Sequence, residues 1–199
     1  MTTDERWDIY HKEFWGKDDE LEDNGFSRSA RGVLSKLFEI LPEKPLTVVD
    51  FGCGRGAWLY VCKELGTVHT VGIDGPWIRE TDRKIGIDTF IQHDLEEPIS
   101  EIAYFSLAIC VEVAEHISHQ GAPSLVQSIA NNTNTVLFSA APKGQGGEHH
   151  INEQPISYWD KLFAEHGFVR YDHIRPLIKN DNSIDWWYRD NTYIYQRKQ

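Results

Sequence analysis

A chain of 199 residues suits one domain with a well-filled core. Its 40% hydrophobic and 26% charged residues are ordinary for a soluble globular protein, and no apolar run approaches the ~20 residues that span a bilayer. A net charge of −11 argues against a nucleic-acid partner, because neutralising phosphates calls for a basic surface.

Residues 1–25 are charged and aromatic, with Trp7, Tyr10 and Phe14 on one face of a short helix and Trp15 beside them. This segment is expected to pack as a lid on the domain formed by 26–199. The polar start Met1-Thr2-Thr3-Asp4-Glu5-Arg6 has no secretory character. Cys53, Cys62 and Cys110 lie in apolar or glycine-rich surroundings without zinc-ligand spacing. Buried free thiols in a reducing cytoplasm are therefore expected.

The spacing predicts a helix over 29–41, with Val33, Leu34, Leu37, Phe38 and Leu41 on one stripe and Pro42 as its stop. A strand over 46–50 leads into a helix that ends at Leu65, with Gly66 beyond it. Strands follow over 68–73, 88–92 and 104–111, the first two separated by a loop with Pro76 and Trp77. A helix over 122–131 takes Pro123 in its first turn, and a strand over 135–141 ends at Pro142. A helix over 155–166 turns Trp159, Leu162 and Phe163 inward, and 168–175 and 192–197 read as closing strands. Such alternation gives a doubly wound α/β fold, with a mostly parallel sheet covered on both faces and ligands beyond the carboxyl ends of its strands.

The run Val48-Val49-Asp50-Phe51-Gly52-Cys53-Gly54-Arg55-Gly56-Ala57 is a buried strand that ends in a glycine-rich turn and opens a helix. Glycine lets backbone approach a ligand closely, and the helix start offers unpaired amides. Gly52-x-Gly54-x-x-Ala57 also fits a dinucleotide fingerprint. Asp50 distinguishes the two readings: a carboxylate there repels a pyrophosphate and tolerates a cofactor with a cationic amino-acid end.

This run resembles motif I of class I S-adenosylmethionine-dependent methyltransferases. Val71-Gly72-Ile73-Asp74-Gly75, Gln92-His93-Asp94-Leu95 and Ala108-Ile109-Cys110-Val111-Glu112-Val113-Ala114-Glu115-His116-Ile117 resemble the later motifs, in the family's order. The resemblance implies a seven-stranded, mostly parallel sheet with an antiparallel final strand. It also implies S-adenosylmethionine as cofactor and S-adenosylhomocysteine as product. By the same likeness Asp50, Gly52, Cys53 and Gly54 take the methionine end, Asp74 and Gly75 the ribose, Asp94 and Leu95 the adenine, and Val111 the pocket wall.

A hydroxyl acceptor must lose its proton as its oxygen attacks, and histidine is the usual base. On a helix opened after the fourth strand, Glu112, Glu115 and His116 would share one face. His150 leaves the fifth strand in Gly144-Gln145-Gly146-Gly147-Glu148-His149-His150. His116 or His150 is expected to be the base, with Glu112 or Glu115 orienting the imidazole. The three glycines suit an acceptor loop and lack the ending of a phosphate loop.

Glu-x-x-Glu-His with a later His also resembles the magnesium site of small-RNA 3′-terminal 2′-O-methyltransferases, making Glu112, Glu115, His116 and His150 candidate ligands of a divalent metal. No RNA-binding segment or basic patch accompanies them, so no metal is assigned. Arg175-Pro176 and Trp186-Trp187-Tyr188-Arg189-Asp190-Asn191 are similar to segments of bacterial methyltransferases encoded among glycan-assembly genes. The favoured reading is O-methylation of a small polar acceptor such as a sugar. Metal-assisted methylation of an RNA terminus, an NAD-dependent oxidoreductase and a non-catalytic cofactor-binding partner are the alternatives.

Overall fold

Along the central strands, neighbouring residues bury on opposite sides of one sheet. Val49 and Phe51 join one apolar cluster, with Ala108, Cys110, Val136 and Phe138. Val48, Leu107, Ile109, Val111 and Leu137 join a second. This period-two burial on both faces marks strands sandwiched between helices. The computed structural model describes residues 25–78, 87–100 and 102–198, and the segment with Trp7, Tyr10, Phe14 and Trp15 lies outside the described residues.

The elements run α1 (Gly25–Ile40), β1 (Thr47–Phe51), α2 (Ala57–Glu64), β2 (His69–Asp74), β3 (Thr89–Gln92) and β4 (Leu107–Val111). After a 3₁₀ turn (Ala114–His116) come α3 (Ala122–Asn132), β5 (Thr135–Ser139), α4 (Ile156–Glu165), β6 (Phe168–Tyr171), α5 (Arg175–Ile178), α6 (Trp186–Asn191) and β7 (Tyr193–Arg197). The sheet order is β3-β2-β1-β4-β5-β7-β6. Strands β1 to β5 are parallel, and β7 inserts antiparallel between β5 and β6. This is the expected seven-stranded doubly wound sheet with an antiparallel final strand. The order in which strands are added reverses between β1 and β4, so the crevice for a ligand opens above their carboxyl ends.

Helices α3 and α4 cover one face through Leu125, Val126, Ile129, Trp159 and Phe163. Helices α1 and α2 cover the other through Val33, Leu34, Leu37, Leu59 and Cys62. Cys53, Cys62 and Cys110 are buried free thiols, as expected. Among the described residues no helix is long and apolar enough to cross a membrane.

Three strand ends lie two or more residues from the sequence reading. The fourth strand starts at Leu107 instead of 104, because Phe105 makes only an isolated bridge to Thr133. The fifth ends at Ser139, two residues early: the Glu112 amide donates to Ser139 Oγ, and the Ala141 amide to Glu115 Oε1. The sixth ends at Tyr171, because Arg175-Pro176 starts helix α5. Proline fixes the φ a first helical turn needs, so this tail bends away from the sheet.

Phe138 ties β5 to its cover. Its ring centre lies 5.4 Å from Trp159, 5.3 Å from Phe163 and 5.8 Å from Tyr195. Deleting a buried phenyl group removes that burial and leaves a cavity. Phe138→Ala is expected to cost about 3–5 kcal/mol in urea unfolding; a loss under about 1 kcal/mol would mean that this face does not hold β5.

Candidate active site

The glycine turn closes by docking on the neighbouring strand. The Gly52 and Cys53 amides both donate to the Ile73 carbonyl, at 2.8 and 3.2 Å. Gly52 has a φ of 82°, and a Cβ there would overlap the Val113 methyls. Left-handed backbone and close packing together require glycine at this position. Beneath the turn Asp50 is 2% exposed, and its Oδ2 has no hydrogen-bond partner. Burial, and then the charge of Asp74, pushes its carboxyl well above the ordinary range.

Asp74 ends β2 as a bridge between two loops. Its Oδ2 accepts the Gly54 amide and its Oδ1 the Gly75 amide, both at 2.7 Å. Burial raises it to about 6 against those two bonds and one from Trp77. Asp94 is exposed after β3 and accepts the Glu96 amide at 3.1 Å, beside buried Leu95. Asp50, Gly52, Cys53, Gly54, Asp74, Asp94, Leu95 and Val111 all line one cavity of about 510 Å³. Gly75 acts on it through its bond to Asp74.

Glu112, Glu115, His116 and His150 line the same cavity beyond Val111. The expected helix does not carry them. Glu112 has a φ of 54° and is followed by a single 3₁₀ turn, Ala114–His116. That turn still brings the Glu112 and Glu115 carboxyls into hydrogen-bonding reach. Two carboxyls can bond only if one holds a proton. Glu115 is fully buried, and burial together with the Glu112 charge pushes it well above the ordinary range.

The loop after β5 reaches the 3₁₀ turn by backbone: the Ile151 and Asn152 amides both donate to the Glu115 carbonyl at 3.0 Å. His116 and His150 thereby meet edge to face, with ring centres 5.0 Å apart. His116 Nδ1 donates to the His149 carbonyl at 3.2 Å, and burial followed by His150 lowers the ring to about 4. Neither Glu112 nor Glu115 orients His150. Glu153 does, accepting from its Nδ1 at 3.0 Å. The same carboxylate accepts the Gly144 and Gly146 amides at 2.8 and 2.7 Å, so it shapes the glycine loop as well. The sequence reading passed over Glu153, although its position three residues after His150 was the available signal.

One donor atom each of Glu115, His116 and His150 lies within 4.8 Å of the other two. Glu112, the fourth candidate ligand, stands outside that group. The tail completes the cavity with Trp186, Trp187 and Tyr188. Trp186 is 49% exposed, while Trp187 packs partly on the core. Asn191 Nδ2 donates to Gln145 Oε1 at 2.9 Å, fastening α6 to the glycine loop.

A family model described as a methyltransferase domain matches residues 24–191. The chain belongs to that family. It is a class I S-adenosylmethionine-dependent methyltransferase. Among solved structures it resembles magnesium protoporphyrin IX methyltransferase (ChlM) from Synechocystis PCC 6803 with bound S-adenosylhomocysteine, at TM-score 0.67 and 15% identity over 99% of this chain and 100% of that one. The plantazolicin methyltransferase BpumL in complex with a monoazolic desmethylPZN analog and S-adenosylhomocysteine is similar at TM-score 0.63 and 14% identity, over 98% and 89%. The methyltransferase domain of bacterial CtHen1-C follows at TM-score 0.60 and 14% identity, over 87% and 100%. At these identities the likeness is one of fold. No curated protein sequence matches the chain.

Burial of Asp74 has a consequence for the ligand-free methyltransferase. An acid with a folded pKa of about 6 and an unfolded one near ~3.9 binds more protons folded than unfolded. Its stabilising contribution is full below the lower value and is lost as pH rises through the upper one. Asp74→Asn should therefore gain stability over the parent protein between pH 5 and pH 7.5, by about 1.4 kcal/mol. Thermal melts without ligand read this; a difference independent of pH would contradict it.

Proposed function

We propose that the methyltransferase transfers the methyl group of S-adenosylmethionine to a hydroxyl oxygen of a small polar acceptor such as a sugar, with His150 as the base. When bound, the cofactor supplies a methyl carbon activated by a positive sulfur. Several features of the cavity fit it. The turn at Gly52 leaves room for no side chain, Asp50 keeps an unpartnered buried oxygen, and Asp74 closes β2 beside them. On this reading Asp50 and the Gly52–Gly54 turn take the methionine end, Asp74 the ribose and Asp94 with Leu95 the adenine.

The acceptor would enter between the glycine loop and the Trp186–Tyr188 wall. The hydrogen bond from His150 Nδ1 to Glu153 is the observation that carries the proton step. It fixes one tautomer and leaves the lone pair on Nε2. When the acceptor hydroxyl gives up its hydrogen to become the nucleophile, that nitrogen would take the proton. His116, lowered to about 4, holds a proton too weakly to be the better base near neutral pH.

A second reading rests on the cluster of Glu115, His116 and His150. A carboxylate and two imidazoles suit a divalent transition ion, which here would polarise acceptor hydroxyls.

His150→Ala is expected to lower turnover about 100-fold or more, with the affinity for S-adenosylhomocysteine within about threefold of the parent. A loss confined to cofactor binding would contradict the base assignment. Calorimetric titration of Mn²⁺ into chelator-stripped protein separates the readings. One-to-one binding that His116→Ala abolishes favours the metal, and absence of binding favours His150 acting alone.

A further inference from the structure

Glu112 holds a backbone conformation that a glutamate has no reason to adopt for its own sake. Its φ of 54° lies in the left-handed region, where glycine or asparagine would sit at lower cost. A non-glycine residue in that region costs on the order of 1 kcal/mol, and such strain concentrates where a side chain must be aimed. Glu112 lines the cavity.

No lysine or arginine is among the groups that act on the carboxyl, and the favourable charge it feels is that of the His150 ring. The side-chain neighbours of the carboxyl are Ser139, Asn191 and Glu115, two neutral groups and another acid, and its Oε1 is buried without a partner. Glu115 Oε2 is likewise buried and unpartnered. Seven acids line the cavity, and among the described lining residues Arg55, in the glycine turn, is the only lysine or arginine. The nearby base, His150, is engaged by Glu153.

The wall beside Glu112 is aromatic. Tyr188 feels the Glu112 charge and takes side-chain hydrogen bonds from Trp58 and Trp187. Its ring centre lies 5.3 Å from that of Trp58 and 5.9 Å from that of Trp187. A carboxylate with one oxygen left unpartnered next to π faces is complementary to a cation that carries N–H donors. Phosphate or carboxylate in the same place would meet buried like charge.

We infer that the acceptor is an amine-bearing molecule whose ammonium group sits on Glu112 against the Trp187–Tyr188 wall. This rests on the proposed hydroxyl methylation and adds its substrate class. A protonated amine has no lone pair, so it anchors the molecule while a hydroxyl on the same molecule takes the methyl group.

The test uses the full chain saturated with S-adenosylhomocysteine at pH 7 and calorimetric titration with D-glucosamine, D-glucose, N-acetylglucosamine and glucose 6-phosphate. Glucosamine is expected to bind at least tenfold tighter than glucose. N-acetylglucosamine, whose nitrogen carries no charge, should bind no better than glucose, and glucose 6-phosphate should bind least. Glu112→Gln should reduce the preference for glucosamine to within twofold. Equal binding of glucosamine and glucose, an acetylated sugar as good as the amine, or a phosphate sugar that binds best would overturn the inference. The unsubstituted protein alone yields those three results, so a Glu112→Gln protein that fails to fold does not block the test. Failure to bind S-adenosylhomocysteine would sink the parent reading, whereas intact cofactor binding without amine preference would sink only this inference.

Discussion

The site depends on carboxylates buried where strands end. A lone carboxylate away from water is costly unless something else offsets it. At the end of β1, Asp50 sits beneath the glycine turn with one oxygen unpaired. Asp74 at the end of β2 is held by two amides, one of which comes from that turn. The turn, the strand ends and the pair of acids therefore form one unit that gains most from a ligand with cationic and hydroxyl groups. A pyrophosphate would add negative charge to it.

The histidine side of the cavity is built differently, from neighbouring strand ends and the loops that cross them. Because β4 and β5 pair in parallel, the 3₁₀ turn and the glycine loop leave the sheet side by side. The Glu115 carbonyl then stitches the two together through the Ile151 and Asn152 amides. Glu153 shapes the loop and fixes His150 in one step, and the Asn191–Gln145 bond ties the tail to it. Two histidines 34 positions apart thus share an edge-to-face contact.

Much of this was legible in the sequence. Val48-Val49-Asp50 followed by alternate glycines located the turn that lines the cavity, and apolar periodicity located the sheet and its covering helices. The number of strands and the antiparallel end came with the family resemblance. Local geometry was hidden. A helix over 112–116 was read from spacing, whereas Glu112 turns left-handed and only three residues coil. Helices α5 and α6 are too short, at four and six residues, to show a hydrophobic period. The orienting acid for His150 was sought four strands into the sheet and lies three residues away, because a loop can fold back on itself in ways that periodicity does not record.

Calorimetric titration of the ligand-free protein with S-adenosylhomocysteine and, separately, with NAD⁺ tests the cradle most directly. S-adenosylhomocysteine should bind one-to-one, NAD⁺ should give no binding heat, and Asp50→Asn should weaken the former by about tenfold or more. Binding of NAD⁺ without S-adenosylhomocysteine, or an Asp50→Asn protein that binds S-adenosylhomocysteine as tightly as the parent, would contradict the assignment.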